Sequence, residues 1–270
     1  MKQLLIAGFG DLGQRLAVRM EAGSGWQVHA LRRSEADSKA SVIQHRADLT
    51  QSGSLLGLPQ CFDAIVYQAT PSERSPTAYR SIYVDGLRNL LAATATDQLI
   101  MVSSTAVYGQ DDGQWVDESS ATEPTKFNGQ ILLEAERLAL ASSGRVARFS
   151  GIYGPGRTAL IGRVQAGQAR CSETAVQWTN RIHADDAAGV LAHLLEQPAL
   201  GPVICASDDR PSPRCEVLDW LADEMNCAPP PRETSSDSGD GKRVRNALLR
   251  ASGYDFIYPD YQSGYQGLLP

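Results

Sequence analysis

Three glycines near the start of the chain, Gly8, Gly10 and Gly13, have the spacing of a turn that binds a dinucleotide pyrophosphate. The apolar residues 4–6 precede them and a helix-like pattern follows. The first glycine permits a tight turn, the second leaves room for phosphate against the backbone, and the third lets the helix pack on the strand. The helix start favours the phosphate charge. An ordinary glycine turn is the alternative. The predicted phosphate-binding residues are Gly8, Phe9, Gly10, Asp11, Leu12 and Gly13.

The end of the second predicted strand indicates which dinucleotide is bound. An acidic residue at this place bonds the ribose hydroxyls of NAD. Here Arg32 and Arg33 occupy it, and the first carboxylate is Glu35. Guanidinium groups bind phosphate in a bidentate manner, so we expect NADP, with NAD as the second choice. The alternative is a solvated turn.

Two further loops are predicted to complete the cofactor site. Asp48 and Leu49 lie where a loop can touch the adenine ring. Ala69 and Thr70 end a strand beside the glycine turn, where the nicotinamide pocket would be. Either pair could equally belong to an ordinary loop.

Apolar runs alternate with helical patterns along the first part of the chain, which predicts an α/β fold with a doubly wound parallel sheet. The predicted strands are Lys2–Ala7, Gln27–Leu31, Ala64–Gln68, Leu99–Ser103 and Arg145–Phe149. The predicted helices are 12–22, 77–95, 130–142, 158–167 and 184–196. Residues 229–242 are rich in Pro, Ser, Asp and Gly, which is typical of a mobile connection.

Composition limits the class of partner. The 270 residues are 42% hydrophobic and 21% charged, as in ordinary globular proteins, and the net charge of −6 argues against nucleic-acid binding. We find no apolar stretch long enough for a membrane span, and the first apolar run ends at Gly8, unlike a signal peptide. We therefore expect a cytoplasmic protein. The cysteines are odd in number and scattered, so we expect reduced, packing thiols; they are Cys61, Cys171, Cys205, Cys215 and Cys227.

Three later motifs, taken in order, resemble those of one enzyme family. They are Ser103-Ser-Thr-Ala-Val-Tyr-Gly109, Gly151-Ile-Tyr-Gly-Pro-Gly-Arg157 and Arg181-Ile-His-Ala-Asp-Asp186. Together with the glycine turn, this set resembles the extended short-chain dehydrogenase/reductases of the NAD-dependent epimerase/dehydratase type, from residue 1 to about residue 210. The tail after Lys242 resembles one atypical branch of that family.

The resemblance implies a Rossmann domain over residues 1–155, to which 181–205 return, and a smaller substrate-binding lobe over 156–270. It also implies a Ser or Thr that bonds the reacting oxygen, which corresponds to Ser104, with Thr105 as the fallback. Without the resemblance, a polar strand end would be the simpler interpretation of both residues.

The chain departs from the family at its acid/base pair, a Tyr followed four residues later by Lys. Phe127 and Ile131 stand at those two positions, and neither can hold or stabilise a proton. Lys126 and Tyr153 are the replacements we consider, although a solvated lysine and a pocket-shaping tyrosine are the simpler interpretations. A metal site at His183 and its neighbouring aspartates lacks further ligands nearby, so we predict none.

Three functions remain open from the sequence. The first is an oxidoreductase or isomerase that binds NADP and acts on a nucleotide-sugar-like or other polar carbonyl substrate with non-standard acid/base residues. The second is a catalytically silent dinucleotide sensor or regulatory module, favoured by Phe127 and Ile131. The third, a scaffold without cofactor, is opposed by the three glycines. We expect a small-molecule partner and a monomer or homodimer.

Overall fold

The computed structural model describes residues 1–21, 25–34, 38, 40–234 and 240–270. The strands are β1 (Lys2–Ala7), β2 (Trp26–Arg32), β3 (Val42–Arg46), β4 (Cys61–Phe62), β5 (Ala64–Tyr67), β6 (Ala95–Thr96), β7 (Leu99–Ser104), β8 (Asp112–Val116), β9 (Arg145–Phe149), β10 (Gly151–Tyr153), β11 (Cys171–Ser172), β12 (Trp178–Thr179), β13 (Arg181–His183), β14 (Val203–Ala206), β15 (Ser212–Pro213), β16 (Arg232–Glu233) and β17 (Gly241–Val244).

The helices are α1 (Asp11–Glu21), α2 (Pro76–Arg80), α3 (Leu87–Ala93), α4 (Phe127–Ala141), α5 (Ala159–Gln165), α6 (Ala184–Glu196), α7 (Arg214–Glu224), α8 (Ala247–Ala251) and α9 (Tyr261–Gln266). Short 3-10 turns occur at Ser52–Leu55 and Thr105–Val107, and a π-helical turn at Ser81–Gly86 joins α2 to α3. None of the helices within the described residues has the length and apolar character needed to cross a bilayer.

The central sheet has the order β14-β9-β7-β5-β1-β2-β3, seven strands within the described residues. From β1 the chain proceeds outward through β2 and β3, then returns to the other side of β1 with β5. The strand order therefore reverses between β1 and β5, which is the place where open parallel sheets bind ligands. The predicted doubly wound α/β fold is confirmed, since helices flank this Rossmann-like sheet.

Several element boundaries differ from the sequence-based ones. The single helix predicted over 77–95 is α2, a π-helical turn and α3, because the wide turn at Ser81–Gly86 interrupts the α-helical register. Residues 229–242 contain β16 and the start of β17, while 235–239 lie outside the described residues. The edge strand β3 and the helix α7 were not predicted.

The chain divides into two compact units. The first comprises Met1–Val107, Thr122–Arg148 and Ala187–Ile204, and the second comprises Tyr108–Ala121, Phe149–Asp186 and Cys205–Pro270. These ranges group residues 108–121 and 149–155 with the second unit, whereas the sequence-based boundary at 155 puts them in the Rossmann domain. That boundary stays a proposal about which residues bind substrate.

The second unit contains a small sheet of order β15-β12-β17-β8. The guanidinium of Arg243 on β17 lies between two indole rings, 5.0 Å from the centroid of Trp115 and 4.8 Å from that of Trp178. A cation over an aromatic face is attracted by the ring quadrupole, so these contacts bind β17 to β8 and β12.

The expectation of five reduced cysteines is wrong for two of them. Cys171 on β11 and Cys215 on α7 form a disulfide with 5.5 Å between their Cα atoms. The pairing could not be read from spacing, because 44 residues separate the two and only folding brings β11 against α7. Cys61, Cys205 and Cys227 remain thiols.

A buried ion pair fastens α4 to the central sheet of the first unit. Glu136 on α4, with a side chain 1% exposed, accepts hydrogen bonds from the guanidinium of Arg148 on β9, the shortest at 2.7 Å. The hydroxyl of Ser103 on β7 donates to the same carboxylate at 2.5 Å. Since a buried carboxylate is costly unless paired, these bonds fix the position of α4 over β7 and β9.

We predict that Arg148→Met lowers the free energy of unfolding by about 3 kcal/mol or more, because it leaves the Glu136 carboxylate buried without its counter-ion. Arg80 pairs with Glu134 on the same helix at 2.7 Å but is exposed, so Arg80→Met is the matched control and should change stability much less. Urea unfolding followed by circular dichroism measures both variants. Equal losses for the two variants would contradict the structural role of the buried pair.

Candidate functional site

The glycine turn after β1 shows a separate reason for each glycine. Gly8 has a φ of +92°, and a Cβ there would lie 2.4 Å from the backbone of Ala69. A Cβ on Gly13 would lie 2.5 Å from the side-chain nitrogen of Gln68 and 3.2 Å from Ile6. The backbone therefore requires glycine at position 8, while position 13 is closely packed by side chains alone.

Gly10 differs from both neighbours. Its φ is not positive, and within the described residues a Cβ there would meet no heavy atom within 4 Å. Neither backbone strain nor packing explains a glycine at this place. The space beside it is open, which is what an approaching phosphate needs.

The start of α1 supplies hydrogen-bond donors next to this space. The first intrahelical bond runs from the Gln14 amide to the Gly10 carbonyl at 3.0 Å, so the amides of Leu12 and Gly13 precede it. Amides at this place have no partner within the helix and carry the positive end of its dipole. An anion of the size of a phosphate therefore fits the helix start. The Asp11 side chain turns to Arg15, at 3.1 Å.

A cleft of about 240 Å³ opens beside the glycine turn, wholly within the first unit. Nine of the twelve residues predicted to bind the cofactor line it: Gly8, Phe9, Gly10, Arg32, Arg33, Asp48, Leu49, Ala69 and Thr70. Asp11, Leu12 and Gly13 belong to α1 and are outside this lining. Sequence reasoning missed four lining residues, which are Leu31, Ser34, Ala47 and Ile82.

The missed residues carry weak sequence signals. Ala47 follows the unpredicted edge strand β3, and its amide bonds the Arg32 carbonyl at 3.1 Å. Ile82 is placed in the cleft by the π-helical turn. Leu31 and Ser34 flank the two predicted arginines, so they could have been found by extending that motif.

Three guanidinium groups occur at the β2–β3 end of the cleft. Arg32 and Arg33 line it, and Arg46 on β3 is the register partner of Arg32 and donates to the Arg33 carbonyl at 3.2 Å. Asp48 accepts from the Thr50 amide and hydroxyl through Oδ1. This end of the cleft is therefore rich in groups that bind a phosphate.

Ser104 lies at the end of β7, partly buried, and its Oγ accepts from the Ala106 amide at 3.2 Å. Thr105 begins the 3-10 turn that follows. A Cβ on Gly129 of α4 would lie 2.3 Å from the Ala106 carbonyl, so α4 packs directly on this turn. The start of α4 and the serine strand are thus held together by backbone contact.

Two positions at the start of α4, 127 and 131, carry an aromatic and an apolar side chain. Phe127 packs edge-on against Tyr79 with 5.4 Å between ring centroids, and Ile131 is buried. Tyr83 packs against Tyr79 with the two rings tilted by 52°. Burial first, then Tyr79, raises the pKa of Tyr83 to about 12. A phenol with a pKa that high stays protonated at neutral pH and gives up its proton with difficulty. Lys126, before Phe127, is exposed.

The other residues considered from sequence lie in the second unit. Tyr153 is buried, its hydroxyl donates to the Asp260 carbonyl at 3.4 Å, and burial, then the Asp208 carboxyl, raises its pKa. His183 accepts from the Asp185 amide at 3.2 Å and packs on Tyr258. These contacts give both rings structural partners within that unit.

Asp186 has a role that sequence reasoning did not assign. It is fully buried, and its carboxylate accepts from the Tyr254 hydroxyl at 3.0 Å and from the amides of Ile257 and Tyr258 at 2.8 and 2.9 Å. The carboxylate therefore ties the C-terminal tail to the start of α6.

The NAD dependent epimerase/dehydratase family matches residues 4–204 of this chain. The chain belongs to this family. A candidate NAD-dependent epimerase/dehydratase from Methylobacillus flagellatus is 39% identical, with a TM-score of 0.84 over 99% of this chain and 97% of that one. A functionally unknown conserved protein from Silicibacter pomeroyi is 25% identical, with a TM-score of 0.75 over 99% and 98%. The search of the curated proteins found no match.

More distant structures share the fold. MoeE5, solved with UDP-glucose and NAD, is 21% identical, with a TM-score of 0.79 over 98% of this chain and 96% of that one. The UDP-glucuronic acid 4-epimerase from Bacillus cereus, solved with NAD, is 16% identical, with a TM-score of 0.77 over 97% and 94%. Structures that share this fold therefore include proteins solved with NAD.

We predict that Gly10→Ala and Gly8→Ala separate binding from folding. Gly10→Ala leaves the melting temperature unchanged and weakens nicotinamide dinucleotide binding about tenfold, because the new methyl group occupies only the open cleft. Gly8→Ala instead lowers stability by about 1–3 kcal/mol, because of its positive φ and the Ala69 backbone. Thermal melts and cofactor titration report the two effects. A Gly10→Ala variant that binds like the wild type would contradict the phosphate position.

Proposed function

We propose that the chain is an NADP(H)-binding oxidoreductase or isomerase of the epimerase/dehydratase family. Its substrate is a nucleotide-sugar-like or other polar carbonyl compound. The observation that carries this proposal is the open space at Gly10, beside the α1 amides and in a cleft lined by Arg32 and Arg33. UDP-sugars in the related structures support the substrate class. We further propose a cytoplasmic monomer or homodimer.

The preference for NADP is supported by charge. Arg32 and Arg33 line the cleft and Arg46 lies beside them, where an NAD enzyme would have a carboxylate on the ribose. Glu35, the nearest carboxylate in sequence, lies outside the described residues. MoeE5 and the Bacillus cereus epimerase were solved with NAD. The preference for NADP proposed here therefore rests on the arginines of this chain.

We assign residues to roles as follows. The α1 start binds the pyrophosphate, Arg32 and Arg33 bind the 2′-phosphate, and Asp48 and Leu49 border the adenine. Ala69 and Thr70 border the nicotinamide, which supplies hydride transfer when the dinucleotide is bound. Ser104, with Thr105 as the fallback, donates a hydrogen bond to the reacting oxygen. Lys126 and Tyr153 remain the proposed proton donors, although Lys126 is exposed and Tyr153 is buried with its hydroxyl on the Asp260 carbonyl.

The packing at the start of α4 favours a second function, in which the chain binds the dinucleotide without catalysis. Phe127 packs on Tyr79 and Ile131 is buried, so the start of α4 offers no proton and no cation at the two positions where the family has them. A chain that binds the dinucleotide without turning over substrate, as a sensor or regulatory module, needs neither group.

We predict that the wild type binds NADPH at least tenfold more tightly than NADH, and that Arg32→Ala removes most of that difference. A charge-assisted bond to the 2′-phosphate contributes about 1.5–3 kcal/mol, and NADH has no such phosphate. Nucleotide fluorescence titration measures both affinities. Arg88→Ala, on α3 and outside the cleft lining, is the control. Equal weakening of NADPH and NADH would refute the assignment of Arg32, and binding of neither would refute the proposed function.

We predict that Phe127→Tyr with Ile131→Lys increases turnover by about 10²- to 10⁴-fold, because a positioned general acid or base accelerates a reaction by that factor. The close packing of Gly129 on the turn after Ser104 places the new groups beside the serine strand. The assays are NADPH oxidation with simple carbonyl compounds and chromatographic detection of isomerised products with UDP-sugars, since isomerisation consumes no NADPH. Phe127→Leu with Ile131→Met is the control of similar bulk. Unchanged turnover with intact NADPH binding would favour the silent module.

A further inference from the structure

The pair Cys171–Cys215 lies in surroundings that differ for its two sulfurs. Cys171 is buried in the core of the second unit, beside residues of α5 and α7, while Cys215 at the start of α7 is half-buried. A small thiol can therefore reach Cys215 more easily than Cys171. The sulfur atom at which a thiolate attacks a disulfide depends on such access.

A cation lies against the buried sulfur. Arg232 is the register partner of Cys171 in the β11–β16 pair, and its Nη1 contacts the Cys171 Sγ. Its Nη2 pairs with Asp219 of α7 at 2.5 Å. The guanidinium stabilises a thiolate on Cys171, although the Asp219 carboxylate offsets part of its charge. Cys171 is thus the better leaving group of the two.

The half-buried sulfur has a partner for its reduced form. The Cys215 Sγ lies 3.3 Å from the Ser172 carbonyl oxygen, which can accept from a thiol. Opening the bond therefore leaves both sulfurs with a polar neighbour, Arg232 for Cys171 and Ser172 for Cys215. A purely structural disulfide needs neither.

We propose that Cys171 and Cys215 form a reversible thiol–disulfide exchange site for low-molecular-weight thiols and disulfides. A thiolate attacks the Cys215 Sγ, the Cys171–Cys215 bond breaks, and Cys171 leaves as a thiolate against Arg232. A second thiolate attacks the mixed disulfide and releases Cys215. In total, two small thiols are oxidised to one small disulfide and the protein disulfide is reduced to two thiols. A small disulfide, in the reverse direction, closes the bond.

The exchange controls the first turn of α7. The residue after Cys215, Glu216, accepts from the Tyr261 hydroxyl at 2.9 Å and from Arg210 at 2.8 Å. The closed bond ties this turn to β11, and the open one releases it while the apolar core remains. The inference concerns the second unit alone and stands whether or not the proposed dinucleotide site is correct.

The first test equilibrates the full-length protein with mixtures of reduced and oxidised glutathione and then traps thiols with iodoacetamide. Peptide mass spectrometry should show the Cys171–Cys215 bond opening and closing with the ratio, without denaturant. The exposed Cys61 is the internal control for trapping. Three results would each overturn the proposal. They are alkylation of both Cys171 and Cys215 at every ratio, a Cys171–Cys215 bond that opens only in denaturant, and pairing of Cys215 with Cys227.

The second test addresses the direction of attack. Early quenching of the wild type should place glutathione on Cys215, and glutathione on Cys171 would overturn the assignment. Arg232→Gln should open about tenfold more slowly, because the leaving thiolate loses its cation. Arg232→Lys should retain the rate, and Arg163→Gln, an exposed arginine of α5, is the control. A wild-type rate in Arg232→Gln would also overturn it.

Discussion

The close approach of two backbones at the switch point of the sheet is the constraint on which the site depends. The chain at Gly8 passes so near Ala69 that no side chain fits between them. This contact joins the turn after β1 to the loop after β5, and it leaves Gly10 facing open space. The cleft is therefore a consequence of main-chain packing, and its walls are already held in place before any ligand arrives.

The same logic applies to the region around Ser104. Backbone contact at Gly129 and the buried pair of Glu136 with Arg148 fix α4 on the sheet, whatever residues its first turn carries. The chain thus has the scaffold of the epimerase/dehydratase family, and we propose that Phe127 and Ile131 replace its acid/base pair. The choice between catalysis and sensing therefore depends on the side chains that the first turns of α4 carry, because the position of the helix on the sheet is fixed independently of them.

The sequence allowed prediction of those features whose causes are local. The glycine turn and β1 were predictable because spacing, turn geometry and apolar run all lie within about fifteen residues. Edge strand β3 was not, since its residues are mostly exposed and show no alternation. Glu136 resembled an ordinary helical charge, because its partners Ser103 and Arg148 lie on two strands far away in sequence. The Cys171–Cys215 pair likewise depends on tertiary contact.

The π-helical turn at Ser81–Gly86 has a consequence for how this family member can change over evolutionary time. A π turn contains one residue more than the α-helical turn it replaces. Deleting a residue there would restore regular winding and rotate α2 relative to α3 by about 100°. Ile82 would then leave the cleft wall, and the aromatic face that meets Phe127 would turn with it. Insertions and deletions at this one position can therefore remodel the cleft while the sheet stays intact.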